Sequence, residues 1–230
     1  MKNFSRRKFL SWGGILAAIG IGGYFSFRHF SSTVLIKVES FATNGNGQKQ
    51  NILVLTGSAR EHGNSEILAD AFVKGAREAG HVVNIFQTGM KPMSGCLHCD
   101  ACWSAGTPCV IDDSFKELWP MLENAEILVI CSPLYWYNFS GHIKCAIDRF
   151  YPYFRKNRLR NMKVKEAILL MCGESILPRS FAGAAESYRQ ILGLNGWKDR
   201  GRLFATGIHE LGDMAVSKFL PIAEEMGRNA

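Results

Sequence analysis

The sequence predicts an α/β protein whose parallel sheet is covered by helices on both faces. From Asn51 onward, a short apolar run is followed by a helical pattern five times, which is the order that βαβ units produce. The runs Ile52–Leu55 and Ile127–Ile130 contain only aliphatic residues, as expected for strands buried on both sides. The length of 230 residues is sufficient for one domain of this kind.

Five strands and five helices are predicted in chain order. The strands are Ile52–Leu55, Val82–Phe86, Ile127–Cys131, Ala167–Cys172 and Arg202–Thr206. The helices are Ser65–Ala79, Ser114–Leu122, His142–Tyr151, Phe181–Leu192 and Asp213–Met226. Ligands of open α/β sheets bind beyond the carboxyl ends of the strands, where the strand order reverses. We therefore expect the function to lie in the loops after the first, third and fourth strands.

The first 30 residues are built like an export signal. Arg6 and Arg7 are followed by Lys8-Phe-Leu and by the apolar stretch Trp12–Phe27. Paired arginines before such a stretch are typical of signals for the twin-arginine (Tat) export machinery. The stretch is shorter than the roughly 20 residues that span a bilayer. The alternative is a basic tail before a core helix.

These features predict three regions. Residues 1–30 form a Tat-type signal or anchor, residues 31–50 form a polar linker, and residues 51–230 form the α/β domain. We expect the Tat translocon to export the protein to the periplasm or to the outer face of the cytoplasmic membrane. Whether the signal is cleaved or stays as an anchor is left open, because no clean cleavage site follows Phe27.

The charge distribution argues against a nucleic-acid partner. The sequence has 27 basic and 20 acidic residues, a formal net charge of +7. Five of the basic residues and none of the acidic ones lie within residues 1–30, so the rest of the chain is nearly neutral. A nearly neutral domain lacks the basic surface that nucleic acids require.

The loop after the first strand has the composition of a phosphate site. It offers hydroxyls, an amide, a guanidinium and a glycine at the start of a helix, whose N-terminus favours anions. The candidate residues are Ser58, Arg60, Gly63, Asn64 and Ser65. The loop lacks the glycine pattern of dinucleotide sites and the Gly-Lys-Ser/Thr of nucleotide P-loops, which favours a monophosphate ligand. The alternative is a polar turn with Asn64 or Ser65 as helix cap.

Two motifs together resemble a known family. They are Gly57-Ser-Ala-Arg-Glu-His-Gly-Asn-Ser65 and Ser132-Pro-Leu-Tyr-Trp-Tyr-Asn138, the second followed by Lys144, Asp148 and Arg149. They are similar to the phosphate loop and the Ser-Pro-x-Tyr-Trp loop of the NADPH-dependent FMN reductases, which include the iron-sulfur flavoproteins. The resemblance implies a flavodoxin-like fold with strand order 2-1-3-4-5 and FMN as cofactor.

The aromatic loop after the third strand places flat rings where ligands bind, so these rings could bracket a planar heterocycle. They could equally pack beneath the loop or at a subunit contact. The resemblance implies that the backbone of Pro133, Leu134 and Tyr135 and the side chains of Trp136 and Asn138 contact the flavin. It implies a third flavin contact at Gly173. We expect Asp148 and Arg149 to form an ion pair.

Four cysteines form a compact motif after the second strand. Cys96, Cys99, Cys102 and Cys109 have the spacing C-x2-C-x2-C-x6-C. Such a run favours a [4Fe-4S] cluster over zinc, whose ligands usually come as two separated pairs. Plain thiols or disulfides remain the third alternative. The resemblance supports the cluster, because iron-sulfur flavoproteins carry a similar run followed by an Asp-Asp pair like Asp112 and Asp113.

We therefore predict an exported FMN-dependent oxidoreductase that transfers electrons through FMN and, if the cysteines hold one, through a [4Fe-4S] cluster. NAD(P)H, a quinone and a redox protein are the candidate donors and acceptors, and the choice among them stays open. Whether the chain forms a homodimer is also open. The alternative functions are a non-enzymatic flavodoxin-like electron carrier and a cysteine-loop metal or redox-sensing module.

Overall fold

The computed structural model describes residues 49–154 and 160–230. The predicted signal of residues 1–30 lies outside these residues, as does the linker up to residue 48. Within the part that is described, no helix is both long enough and apolar enough to cross a membrane.

The five strands form one parallel sheet in the order β2-β1-β3-β4-β5, which confirms the predicted fold class. The strands are β1 (Asn51–Thr56), β2 (Val82–Gln87), β3 (Ile127–Pro133), β4 (Glu166–Gly173) and β5 (Lys198–Thr206). In the central register, Ile52 of β1 pairs with Val83 on one side and with Ile127 on the other. The strand order reverses between β1 and β3.

The α-helices are α1 (Asn64–Glu78), α2 (Phe115–Asn124), α3 (Gly141–Asp148), α4 (Tyr151–Phe154), α5 (Ala182–Asn195) and α6 (Phe219–Arg228). Two predicted helices are divided. The predicted helix His142–Tyr151 ends at Asp148, because Pro152 would clash with the carbonyl four residues earlier. The predicted helix Asp213–Met226 becomes a 3-10 turn, Asp213–Val216, followed by α6. Pro221 lies in the first turn of α6, where a missing N–H is tolerated.

Alternate residues of each strand point to opposite faces of the sheet, and each face has its own apolar core. On one face Ile52 and Val54 pack with side chains of α1 and α6, such as Phe72 and Met226. The other core is formed by the side chains of Leu53, Leu55, Leu128, Ile130, Phe115, Leu118, Ile143 and Tyr188. Helices α2, α3 and α5 therefore cover the second face.

Backbone hydrogen bonds hold the loops side by side at the carboxyl edge of the sheet. The Gly57 N–H donates to the Cys131 carbonyl at 2.9 Å, and the Leu134 N–H donates to the Cys172 carbonyl at 2.8 Å. These bonds extend the ladder beyond β1 and β3. The loops after these two strands consequently start from fixed positions at the strand-order reversal.

Candidate functional site

The candidate phosphate loop, residues 57–63, leads into a helix that has no side-chain cap. Gly63 is the N-cap of α1, so no side chain caps the first turn of this helix. The backbone N–H groups of a first helical turn and the helix dipole attract an anion. α1 has 15 residues, and its amino end opens toward the carboxyl edge of the sheet. This geometry is suitable for a phosphate group.

The turn before α1 folds around the Ser58 hydroxyl. Ser58 is buried, and its Oγ accepts a hydrogen bond of 3.0 Å from the Arg60 backbone N–H. A Cβ on Gly63 would lie only 2.7 Å from this oxygen, so the turn requires glycine there. The Arg60 side chain is exposed and can reach a ligand. Ser65 is buried in the first turn of α1.

The Asn64 amide binds the loop that follows β5. Its Nδ2 donates to the Glu210 carbonyl at 2.7 Å, and its Oδ1 accepts from the N–H groups of Gly212 and Met214 at 3.1 and 3.2 Å. These bonds give the side chain a structural role that sequence reasoning missed. Its contact with a phosphate stays a prediction.

The aromatic loop contains a strained two-residue turn. The backbones of Tyr135 and Asn138 exchange two hydrogen bonds of 3.0 Å. Between them, Trp136 and Tyr137 have φ values of +48° and +63°, a conformation that bulky residues rarely adopt. Trp136 is 95% exposed and Tyr137 64% exposed. Strain of this kind clusters at ligand-binding sites, and here it presents two large rings to the outside.

The other predicted flavin contacts occupy neighbouring strand ends. Pro133 ends β3, and a Cβ on Gly173 at the end of β4 would lie 2.9 Å from the Leu134 Cβ. The Asn138 side chain accepts from its neighbour's N–H and donates to Ser187 Oγ of α5 at 3.2 Å. The amide of Asn138 is therefore directed toward α5. The flavin contacts of these residues stay predictions.

All four cysteines of the motif line one pocket. The pocket encloses about 340 Å³ of space that includes open solvent. Burial raises the pKa of the Cys102 thiol, and the nearby thiols of Cys109, Cys96 and Cys99 raise it further. Among the described residues, no three His, Cys, Asp or Glu side chains already form a metal site. The donor set suits a metal group, but the thiols would have to turn toward one another to bind it.

An aromatic cluster around Asp100 supports the cysteine loop. The Trp103 Nε1–H and the Tyr151 hydroxyl donate to Asp100 Oδ1 at 3.2 and 3.1 Å. The Tyr151 ring also contacts His98, with 5.5 Å between ring centroids. Tyr151 and Asp100 line the pocket, whereas His98 is not part of its lining.

The predicted ion pair between Asp148 and Arg149 is wrong. Asp148 pairs with Lys144 at 2.5 Å, because i,i+4 residues share one face of α3. Arg149 follows the helix and points inward to Asp113, with Nη1–Oδ2 and Nη2–Oδ1 distances of 3.0 and 3.2 Å. Its Nη1 also donates to the Ser94 carbonyl at 3.1 Å. No local pattern of residues indicates this pair, whose members are 36 residues apart.

The Asp113 carboxylate is held in its charged form. Burial acts to raise the pKa of Asp113, but hydrogen bonds from Arg149 and from the backbone N–H groups of Ser94 and Phe115 outweigh burial. The pKa of Asp113 is therefore lower than that of an ordinary aspartate. The buried Arg149 and the partly buried Asp113 form a pair of opposite charges next to the cysteine pocket.

The other three cysteines lie elsewhere. Cys131 and Cys172 are buried free thiols, and Cys145 is only half-buried. The Cys131 thiol donates to the Ser65 carbonyl at 3.0 Å. Burial raises the pKa of Cys172 to about 12, so this thiol stays protonated and unreactive near neutral pH.

The sheet order and the loops at its carboxyl edge define a flavodoxin-like α/β protein. The family model of the NADPH-dependent FMN reductases matches residues 50–209. The chain belongs to this family.

The chain is similar to two iron-sulfur flavoproteins in sequence and to a solved structure in fold. An iron-sulfur flavoprotein of Archaeoglobus fulgidus is 30% identical over 106 residues, 46% of this chain and 48% of that protein. One of Methanosarcina thermophila is 28% identical over 114 residues, 50% and 59% of the two chains. The chain thus spans about half the length of these relatives. A solved NAD(P)H:quinone oxidoreductase from Methanothermobacter marburgensis has a TM-score of 0.65 at 22% identity, covering 79% of this chain and 97% of its own.

Proposed function

We propose that this protein is an FMN-dependent oxidoreductase. The observation that carries the proposal is the contact between the phosphate loop and the aromatic loop at the strand-order reversal. A Cβ on Gly57 would lie 2.5 Å from Ser140 Oγ, at the end of the aromatic loop. An uncapped helix start and two exposed aromatic rings therefore lie on adjacent loops. Membership of the FMN reductase family supports FMN as the ligand.

Each part of the site has a role in this proposal. The amino end of α1 and the Arg60 guanidinium hold the phosphate of FMN. The backbone of Pro133 to Tyr135 and the Trp136 ring hold the isoalloxazine and ribityl parts, with Gly173 leaving room beside them. Bound FMN supplies hydride and single-electron chemistry, which needs no acid or base from the protein.

We assign the cysteine pocket to a [4Fe-4S] cluster. The four thiols line one pocket, and relatives from two archaea are named iron-sulfur flavoproteins. Four thiolates are the ligand set of such a cluster, which transfers one electron at a time. Cys96, Cys99, Cys102 and Cys109 would be its ligands. A zinc ion and plain thiols are the alternatives that the experiment must separate.

The decisive experiment is anaerobic purification followed by three measurements. An absorption spectrum detects flavin and cluster, and iron and acid-labile sulfide assays quantify the cluster. NADPH and NADH are then mixed with the protein and a soluble quinone. Yellow protein that turns over NAD(P)H supports the enzyme. Flavin that is reduced by dithionite but not by NAD(P)H or a reduced quinone favours an electron carrier. Protein that binds no FMN contradicts the proposal.

Which electron donor is available depends on the cellular compartment. We propose that the folded protein is exported by the Tat machinery. The signal is proposed to be recognised through its two adjacent guanidinium groups, and lysine has the same charge but not this group. Arg6→Lys with Arg7→Lys should make precursor accumulate inside the cell. The control is Lys2→Arg with Lys8→Arg, which makes as many conservative changes and keeps the arginine pair. Cell fractionation with immunoblotting measures the result, and unchanged export of the first variant contradicts a Tat signal.

A further inference from the structure

Arg149 is a buried cation beside the cysteine pocket. Its side chain is 1% exposed and belongs to the lining of the pocket that the four cysteines share. The guanidinium carbon lies 4.5 Å from the centre of the Phe115 ring. Charged groups are rarely buried to this extent unless they are paired.

The hydrogen bonds of this guanidinium are not complete. Nη1 and Nη2 donate to Asp113 and to the Ser94 carbonyl. In the part of the chain that is described, Nε is a buried polar atom with no hydrogen-bond partner. A buried donor without a partner destabilises the folded protein. This destabilisation points to an acceptor that the protein alone does not supply.

The same side chain closes the cysteine loop. Ser94 precedes the first cysteine of the motif and Asp113 follows the last. Arg149 binds both, and the Ser94 N–H donates to Asp113 Oδ2 at 3.0 Å. The two ends of the loop are therefore held together beneath the pocket. A loop whose ends are fixed loses less conformational entropy when its ligands close around a metal.

We propose that Arg149 is a positioning residue for an anionic metal–thiolate group in the cysteine pocket. It fixes the ends of the cysteine loop, places a positive charge beside the thiolates and leaves its Nε–H free to donate to a sulfur. The inference rests on the proposed metal-binding function of this pocket. Four neutral thiols that bind one Co²⁺ release four protons, which leaves a group of charge −2. A buried cation favours that product, and its partner Asp113 opposes it.

Two variants of the same ion pair test the inference, because they remove opposite charges from beside the pocket. Arg149→Gln removes the cation, and Asp113→Asn removes the anion. Binding of Co²⁺ to the anaerobic, metal-free protein is followed by its sulfur-to-cobalt absorption. Affinity should fall at least tenfold in Arg149→Gln, the size of effect typical of residues that contact metal ligands. It should fall less in Asp113→Asn, because this variant loosens the loop ends but also removes the charge that opposes the thiolates. Arg149→Lys, which keeps the charge but not the fork, should lie between wild type and Arg149→Gln.

The reduction potential of the iron-sulfur protein gives a second readout. Reduction adds negative charge, so the midpoint potential should fall in Arg149→Gln and rise in Asp113→Asn. If the pair only stabilises the fold, both variants weaken Co²⁺ binding equally and leave the midpoint potential unchanged, and this result overturns the inference. Circular dichroism and FMN content confirm that each variant is folded. Wild-type protein without iron and sulfide contradicts the cluster alone, because the Co²⁺ titration still tests Arg149. Wild-type protein that does not bind Co²⁺ overturns the inference as well.

Discussion

The phosphate loop and the cysteine loop lie after neighbouring strands but are held in different ways. The phosphate loop is a short connection between β1 and α1, and its shape depends on a glycine and on one buried hydroxyl. The cysteine loop lies within residues 88–114, whose regular structure is one 3-10 turn, Ala101–Trp103. Side chains from after α3, Arg149 and Tyr151, hold it in place.

This difference determines how each site should respond to substitution. In the proposed phosphate site, the backbone N–H groups of a helix start would provide much of the binding, and the Arg60 side chain would add to it. In the cysteine loop, the proposed ligands are side-chain sulfurs. We therefore expect single substitutions to have partial effects on FMN and complete effects on a cluster.

The largest effect is expected in the cysteine loop. Cys99→Ala or Cys109→Ala removes one of the four proposed ligands, so each should abolish the iron, the acid-labile sulfide and the broad visible absorbance. FMN should stay bound, because its proposed site is on other loops. Iron, sulfide and flavin assays on anaerobically purified protein measure this outcome.

Cys145→Ala is the matched control for these variants. Cys145 is a half-buried thiol outside the lining of the cysteine pocket, so its loss should leave iron and sulfide unchanged. Equal iron in Cys99→Ala and wild type would contradict the ligand assignment. Colourless protein with bound zinc would assign the four thiols to zinc instead.

A smaller effect is expected in the phosphate loop. Arg60→Gln removes an exposed guanidinium without disturbing the turn, which Arg60 forms with its backbone. A charge-assisted hydrogen bond contributes about 1.5–3 kcal/mol, so FMN affinity should fall at least about tenfold. Riboflavin, which has no phosphate, should bind both proteins equally. Fluorescence titration of flavin-free protein gives both affinities.

Arg77→Gln is the control for charge. Arg77 is an exposed arginine at the other end of α1, so its variant has the same net charge as Arg60→Gln. FMN affinity should stay at the wild-type value. An equal loss with riboflavin in Arg60→Gln would show that Arg60 acts on the shape of the loop and not on the phosphate.

The sequence was sufficient to predict what depends on neighbouring residues. Short, largely apolar runs mark the five strands, and each strand lies within four residues of its predicted bounds. The strand order came from the family resemblance and is confirmed. The compact cysteine spacing marked a set of residues that share one pocket, because short spacings leave their side chains close together.

Long-range contacts could not be predicted. Asn64 binds residues near 210–214, almost 150 positions away. Arg149 pairs with Asp113 and not with the adjacent Asp148, because successive side chains of a helix point to different faces. Both choices depend on how helices pack on the sheet, and residue type alone does not encode this packing.

The turn of the aromatic loop is a third region to compare. Its residue types do not suit its backbone conformation. Turns with two residues at positive φ normally contain Asn-Gly, whereas this one contains Trp136-Tyr137. If Trp136 and Tyr137 had no ligand role, Asn-Gly could replace them at little cost in stability. The strain should therefore be measurable as instability of the protein without flavin.

Tyr137→Gly should stabilise the flavin-free protein by up to about 1 kcal/mol. A left-handed conformation costs a residue with a side chain roughly 1–2 kcal/mol, and the larger entropy of glycine in the unfolded chain offsets part of this gain. Tyr135→Gly is the control, because Tyr135 is also exposed but has no positive φ. It should destabilise the protein by roughly 0.5–1 kcal/mol. Urea unfolding of both variants measures the difference. Equal destabilisation in the two glycine variants would show that the turn stores no strain. The backbone conformation of Trp136 and Tyr137 would then be no evidence for a ligand.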